Sequence, residues 1–295
     1  MTTPAPHLRR CRGFTLVELL VAMVVLALIV VMVLQMVNST AVTSTGSRKR
    51  SDADAEARAA LDRMGRDFAG MLNRTDADVL FQKNSANDVM YFMSEAPGVG
   101  SSPSTISLVG YRITTNSAFP GRPVLERLGK ALPWDSTDGP VFLAYSGGTL
   151  DNNSTIPGRW SAIVGTGTYD NGTSSTDYQL LSPSVFRMEY CFLNKDGTYS
   201  STNASGASGG LSNVAAVVVA LGVLDETSRK IVTDGSRMAG ALLDPADTPA
   251  SPSNLMAARW KSNVESASFP SSSGIPKGAA SQIRIYQRTF YLNQR

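Results

Sequence analysis

Gly13-Phe14-Thr15-Leu16-Val17-Glu18 opens a run in which Leu19 to Leu34 form sixteen residues without a charge or a polar group. Phe14 to Val37 is 24 residues. As a helix rising about 1.5 Å per residue it covers about 36 Å, enough to cross the about 30 Å hydrocarbon layer of a bilayer. The run therefore predicts a transmembrane helix over 14–37. The plainest competitor is a cleaved secretory signal with a basic start, an apolar centre and small residues around Ser39-Thr40-Ala41. Two features oppose it: the apolar run outlasts the about 7–15 residues of such a centre, and Glu18 sits within its start. A carboxylate there costs energy that a plain signal has no reason to carry.

The residues around this run set its direction. Arg9, Arg10 and Arg12 precede it with no acid among residues 1–13, which favours a cytoplasmic leader. Arg48-Lys49-Arg50 form an equal trio on the far side, followed by Asp52, Asp54 and Glu56. That second trio reads as a solvated face that also offers contact to anionic membrane lipid.

Composition excludes much of the remaining chemistry. The chain has 295 residues, 42% of them hydrophobic, enough for a sizeable core. Its 27 basic residues fall to 24 without the leader's three arginines, equal to the 24 acidic ones, so net charge gives no case for nucleic acid as a partner. His7 is the one histidine, and Cys11 and Cys191 are the two cysteines. Beyond residue 13 neither an imidazole-based triad nor a His/Cys zinc site can be assembled, and no internal disulfide can form. Cys191, in the apolar run 186–193, reads as a small core residue.

Arg12-Gly13-Phe14-Thr15-Leu16-Val17-Glu18-Leu19, with a basic leader before it and an apolar helix after it, resembles the cleavage and methylation segment of type IV prepilins and type II secretion pseudopilins. The resemblance implies cleavage after Gly13 by a membrane-embedded prepilin peptidase and N-methylation of the new first residue, Phe14. It places Glu18 at the family's glutamate position and implies an assembly role for it. Physical chemistry supports that role: cleavage creates an ammonium at Phe14, four residues from Glu18 on one helix face. A pair between Glu18 and a neighbouring subunit's terminal amine would neutralise two charges that are each costly in hydrocarbon. The bland alternative is Glu18 snorkelling to water.

Beyond the membrane run, Ala53, Ala57, Ala60, Leu61, Met64, Phe68, Met71 and Leu72 recur at helical spacing. Arg58, Asp62, Arg63, Arg66 and Asp67 lie between them, so an amphipathic helix continues over 38–73, either unbroken or kinked near 38–47 where Ser, Thr and Gly46 gather. From residue 79 the pattern changes to short strands: 79–82, 88–93, 105–114, 141–145, 178–181, 185–193, 214–224 and 282–292. Asn194-Lys195-Asp196-Gly197 reads as a hairpin turn, as does Asp170-Asn171-Gly172. With no helix seen between strands, the sheet is expected to be antiparallel, with the apolar 214–224 as a central strand packed by the N-terminal helix. Residues 146–177, 200–213 and 234–280, rich in Ser, Thr, Gly, Asn and Pro, read as surface loops. The expected fold is α+β and pilin-like, a long N-terminal helix on an antiparallel sheet. Its divisions are a leader 1–13, a transmembrane helix 14–37, a continuation 38–73 and a periplasmic β-rich head 74–295.

The order of elements also resembles J-type minor pseudopilins and W-type minor pilins. The counterparts are Val109-Gly110-Tyr111-Arg112-Ile113, Leu125-Glu126-Arg127, the run Val185 to Tyr190, the apolar strand 214–224 and the closing strand 283–292. The chain is similar as well to the C member of the Verru_Chthon cassette, a prepilin-like family. These resemblances imply a non-enzymatic subunit in the inner membrane, extractable into a filament. Its partners would be prepilin peptidase, other pilin-like subunits and an inner-membrane assembly platform, and it would have no cofactor.

Other motifs are weaker. Gly165-Thr166-Gly167 lacks the third glycine of a phosphate cradle, and Gly206 to Gly210 reads as a flexible loop. Asp225, Glu226, Asp234, Asp244 and Asp247 follow no calcium-loop spacing and read as turn or surface residues. Asn153, Asn171 and Asn203 begin Asn-x-Ser/Thr triplets expected of such loops, and Trp134, Trp160 and Trp260 read as loop anchors. The leading expectation is a minor prepilin. The alternatives are a pilin-anchored adhesin or recognition protein and an anchored enzyme using two carboxylates about 5–9.5 Å apart.

Overall fold

The computed structural model describes residues 15–73, 79–98, 105–115, 119–131, 145–146, 149–150, 178–201, 211–232, 235–242 and 255–292. The chain divides into two compact units, Met1–Arg48 and Lys49–Arg295. Helix α1 (Leu16–Ala69) begins in the first and ends in the second, and its helical hydrogen bonding is unbroken through 38–47. Within the first unit Leu16–Ala41 is long and apolar enough to cross a membrane, and none of its most apolar window is buried by protein.

The second unit is built from antiparallel sheets. The first contains β1 (Leu80–Gln82), β2 (Val89–Ser94), β3 (Ser107–Thr115), β4 (Pro123–Ala131) and β7 (Tyr178–Ser182), in the order β1-β2-β3-β4-β7. A separate pair joins β5 (Tyr145–Ser146) to β6 (Thr149–Leu150). The second sheet orders β11 (Arg284–Tyr291), β10 (Val214–Val223), β8 (Val185–Asn194) and β9 (Tyr199–Ser200) as β11-β10-β8-β9. The Asn194 turn connects β8 to β9, with Gly197 at φ 85 supplying the left-handed residue and Asp196 accepting from the Thr198 N–H at 2.8 Å.

The expected stripe of α1 is the side that packs. Ala53, Ala57, Ala60, Leu61, Met64 and Phe68 are all buried, together with Met71 just past the helix. The small alanines let the helix approach β10, whose Val217, Val219, Leu221 and Val223 share the same core. Phe68 stacks on Phe92 of the first sheet at 4.7 Å between ring centroids and on Phe290 of the second at 4.9 Å, so one helical ring joins both sheets. β10 is central and buried on both faces, as its unbroken apolar sequence predicts.

Several elements differ from the sequence reading. β4 was not among the expected strands, because Glu126, Arg127 and Lys130 give it the look of a solvent-facing segment. Residues 234–280 were expected as a loop and no helix was expected between strands. Instead α2 (Glu226–Ile231), α3 (Gly235–Ala241), α4 (Met256–Glu265), α5 (Phe269–Ser273) and α6 (Lys277–Ala280) lie between β10 and β11. They bury Met238, Met256, Trp260 and Phe269 against Phe186, Val218 and Ala220 on the sheet face opposite α1. Trp260 is thus a helical core residue, 1% exposed, and not a loop anchor. Of the expected strand at 141–145 only Tyr145 lies among the described residues. Trp134, Trp160, Gly165 to Gly167, Gly206 to Gly210, Asp170 to Gly172, Asn153, Asn203, Asp234, Asp244 and Asp247 lie outside them.

Candidate functional site

The N-terminal site is an apolar rod with one polar end. Gly13 and Phe14 lie outside the described residues, and Glu18 is placed in the first turn of α1. The Thr15 N–H and hydroxyl donate to Glu18 Oε2 at 3.0 and 3.1 Å, and the Glu18 N–H donates to Thr15 Oγ1 at 3.2 Å. This reciprocal arrangement is a capping box, in which Ser/Thr and a Glu/Gln three residues on satisfy each other's backbone donors. The Thr15-x-x-Glu18 spacing is the sequence signal for this cap. Leu16, Val17, Leu20, Met23, Leu26, Met32 and Met36 all stand more than half exposed. Such a surface is stable only in lipid or against other apolar helices.

The head carries a second set of polar residues, and these are buried. Asp67, expected on the polar side of α1, is 1% exposed and turned inward. Arg127 Nε and Nη2 donate to its two oxygens at 2.6 and 3.0 Å, and the Tyr111 hydroxyl also donates to it. Arg63, one turn earlier on α1, stands 3.5 Å away. Burial and the Asp67 carboxylate beside it push the Tyr111 hydroxyl well above the ordinary tyrosine range, so it stays a neutral donor. Arg112, on the opposite face of β3, donates to Glu126 at 3.0 and 3.1 Å. The Tyr111-Arg112 and Leu125-Glu126-Arg127 segments singled out in the sequence are therefore brought together on neighbouring strands. Their partner on α1 was not anticipated.

A further polar stitch ties the sheets. Asn87 Oδ1 accepts from the Met188 N–H at 2.9 Å, and Asp88 Oδ2 accepts from the Tyr190 N–H at 3.1 Å and from Lys83 Nζ at 2.7 Å. Burial raises the Asp88 carboxyl above its usual range, against the opposing pull of Lys83. Cys191 is buried, and desolvation pushes its thiol up to about 12. Asp225 caps α2 by accepting from the Ser228 N–H at 3.1 Å, and Glu226 pairs with Lys230 at 2.8 Å. Among the described residues no three His, Cys, Asp or Glu side chains gather in a metal-binding group. The buried carboxylates Asp67, Asp88, Glu126 and Glu189 each sit against a cation.

Residues 8–34 match the family model for the prokaryotic N-terminal methylation motif. The match covers 27 of the 295 residues and takes in the first, apolar part of α1. The structure is also similar to a type IV-like pilin from Thermus thermophilus, at 11% sequence identity and a TM-score of 0.35, over 81% of this chain and 94% of that one. No curated protein matches the chain.

Proposed function

We propose that the protein is a minor prepilin or pseudopilin, a single-pass inner-membrane subunit of a type IV pilus-like or type II secretion assembly. Prepilin peptidase cleaves it after Gly13 and the new Phe14 terminus is methylated. The head is periplasmic, and the work is mechanical and recognitive, with no cofactor. What carries this reading is Glu18 at the head of an apolar helix whose most apolar stretch is left unburied among the described residues. A soluble helix would bury that surface, and a secretory signal would be lost with its glutamate. Neighbouring subunits cover it instead, with Glu18 meeting a neighbour's terminal amine as a register device.

The capping box makes this assignment testable, because glutamine preserves the cap and removes the charge. Filament incorporation of Glu18→Gln and Glu18→Ala is measured by co-purification with sheared filaments, with cleavage followed by mass. Both variants are cleaved, and both incorporate at least tenfold less than wild type. Wild-type incorporation of Glu18→Gln would reduce Glu18 to a helix cap.

A further inference from the structure

We propose that the outer edge of β11 is a docking site for an extended acidic segment of another polypeptide, which adds to the second sheet as a strand beside β11. The Leu292 N–H donates to the Ala215 carbonyl at 3.0 Å. Opposed residues in an antiparallel ladder alternate between exchanging both backbone bonds and exchanging neither. With Val217 opposite Phe290, Val219 opposite Arg288 and Leu221 opposite Tyr286, that bond sets the phase of the ladder. Arg284, Tyr286, Arg288 and Phe290 turn their backbone groups to β10. Ile285, Gln287, Thr289 and Tyr291 turn theirs outward, where they meet no backbone partner among the described residues.

The other edges are short or closed. β1 has 3 residues, β9 has 2 and β7 has 5, against 8 in β11. Beyond β9 the edge of β8 is covered by Asn87 and Asp88, and the Asp88 N–H donates back to the Met188 carbonyl at 3.1 Å. Long open edges invite strand pairing, and folds blunt them unless a partner uses them. β11 is the long edge left open among the described residues.

Charge selects the occupant. No Asp or Glu follows Glu265, whereas Lys277, Arg284, Arg288 and Arg295 do. Arg288 is met by Asp62 and the Tyr286 hydroxyl donates to Asp54, but the Arg284 guanidinium donates to the carbonyls of Ser281 and Ile283 at 3.2 and 2.9 Å and forms no ion pair among the described residues. Two copies of this strand would set basic residues side by side. An acidic strand gains both the backbone ladder and the charge match.

The test uses the full chain in detergent micelles, with blocked (Glu-Val)3 and (Lys-Val)3 peptides as probes and residue-resolved amide exchange as the readout. With the acidic peptide, exchange at Ile285, Gln287, Thr289 and Tyr291 slows at least tenfold; with the basic peptide it does not. Thr289→Pro deletes one outward N–H and leaves the β10 ladder intact, so the inward amides stay protected while the peptide effect disappears. Arg284→Glu, which leaves the backbone alone, shifts the preference toward the basic peptide. The proposal is overturned by the absence of slowing, by equal slowing with both peptides, by slowing that persists in Thr289→Pro, or by an unchanged preference in Arg284→Glu. Protection that grows with protein concentration without peptide would assign the edge to a second copy and overturn it equally.

Discussion

Replacing Asp67 with alanine strands Arg127 inside the head. The Arg127 side chain is 2% exposed and donates two hydrogen bonds to Asp67, and Arg127 Nη1 has no hydrogen-bond partner among the described residues. Removing one member of a buried ion pair costs about 3–5 kcal/mol, because the remaining charge stays desolvated. The Tyr111 hydroxyl also loses its acceptor, which adds about 1–3 kcal/mol unless water replaces it. These terms overlap, so the prediction for Asp67→Ala is a loss of about 4 kcal/mol. Replacing both partners, as Asp67→Ala with Arg127→Met, removes the stranded charge and recovers a large part of that loss, so the two effects couple by more than about 2 kcal/mol. Urea unfolding of the micelle-solubilised protein, followed by tryptophan emission with the buried Trp260 as an internal probe, measures both variants. A loss below about 1 kcal/mol for Asp67→Ala, or a double variant weaker than the sum of its singles, would refute the claim that a desolvated charge pair fixes α1 to the first sheet.

Two other predictions rest on the core. A Cβ on Gly110 would lie 2.0 Å from the Tyr91 ring, so Gly110→Ala overpacks the β2–β3 pair and lowers stability by about 1–3 kcal/mol in the same urea assay. An alanine variant as stable as wild type would show that Tyr91 moves aside freely. Burial pushes the Cys191 thiol up to about 12, so at pH 8 it stays protonated and unreactive. In Cys11→Ser protein, iodoacetamide at that pH should therefore label Cys191 only once urea unfolds the head, and rapid native labelling read by mass would contradict its burial.

The parts of the fold legible in the sequence were those carried by local period. The uncovered apolar run, the alanine-rich stripe of α1 and the apolar β10 each announce themselves within about ten residues. β4 does not, because its buried charges are compensated by residues far away in the chain: Arg127 by Asp67, and Glu126 by Arg112. No local pattern carries that pairing. Asp67 did offer a signal, since Ala60, Met64, Asp67 and Met71 follow the three- and four-residue spacing of the buried stripe. Its charge concealed a position whose phase was already correct. The helices between β10 and β11 were hidden by composition, since α5 is Phe269-Pro270 followed by three serines. Only Met256 and Trp260, four apart, hinted at the stripe that α4 lays on the sheet. At the N-terminal site Glu18 is conspicuous in its apolar run from residue type alone, and the structure adds its reciprocal cap with Thr15.

Everything proposed for assembly requires that the basic leader is removed after Gly13, which frees an amine beside Glu18's helical face. Intact-mass and N-terminal peptide mass spectrometry of protein purified from native membranes tests this directly. The account predicts a chain that begins at N-methylated Phe14. A mature chain that retains Arg12 and Gly13, or one cut near Ala41 with the apolar helix lost, would contradict it.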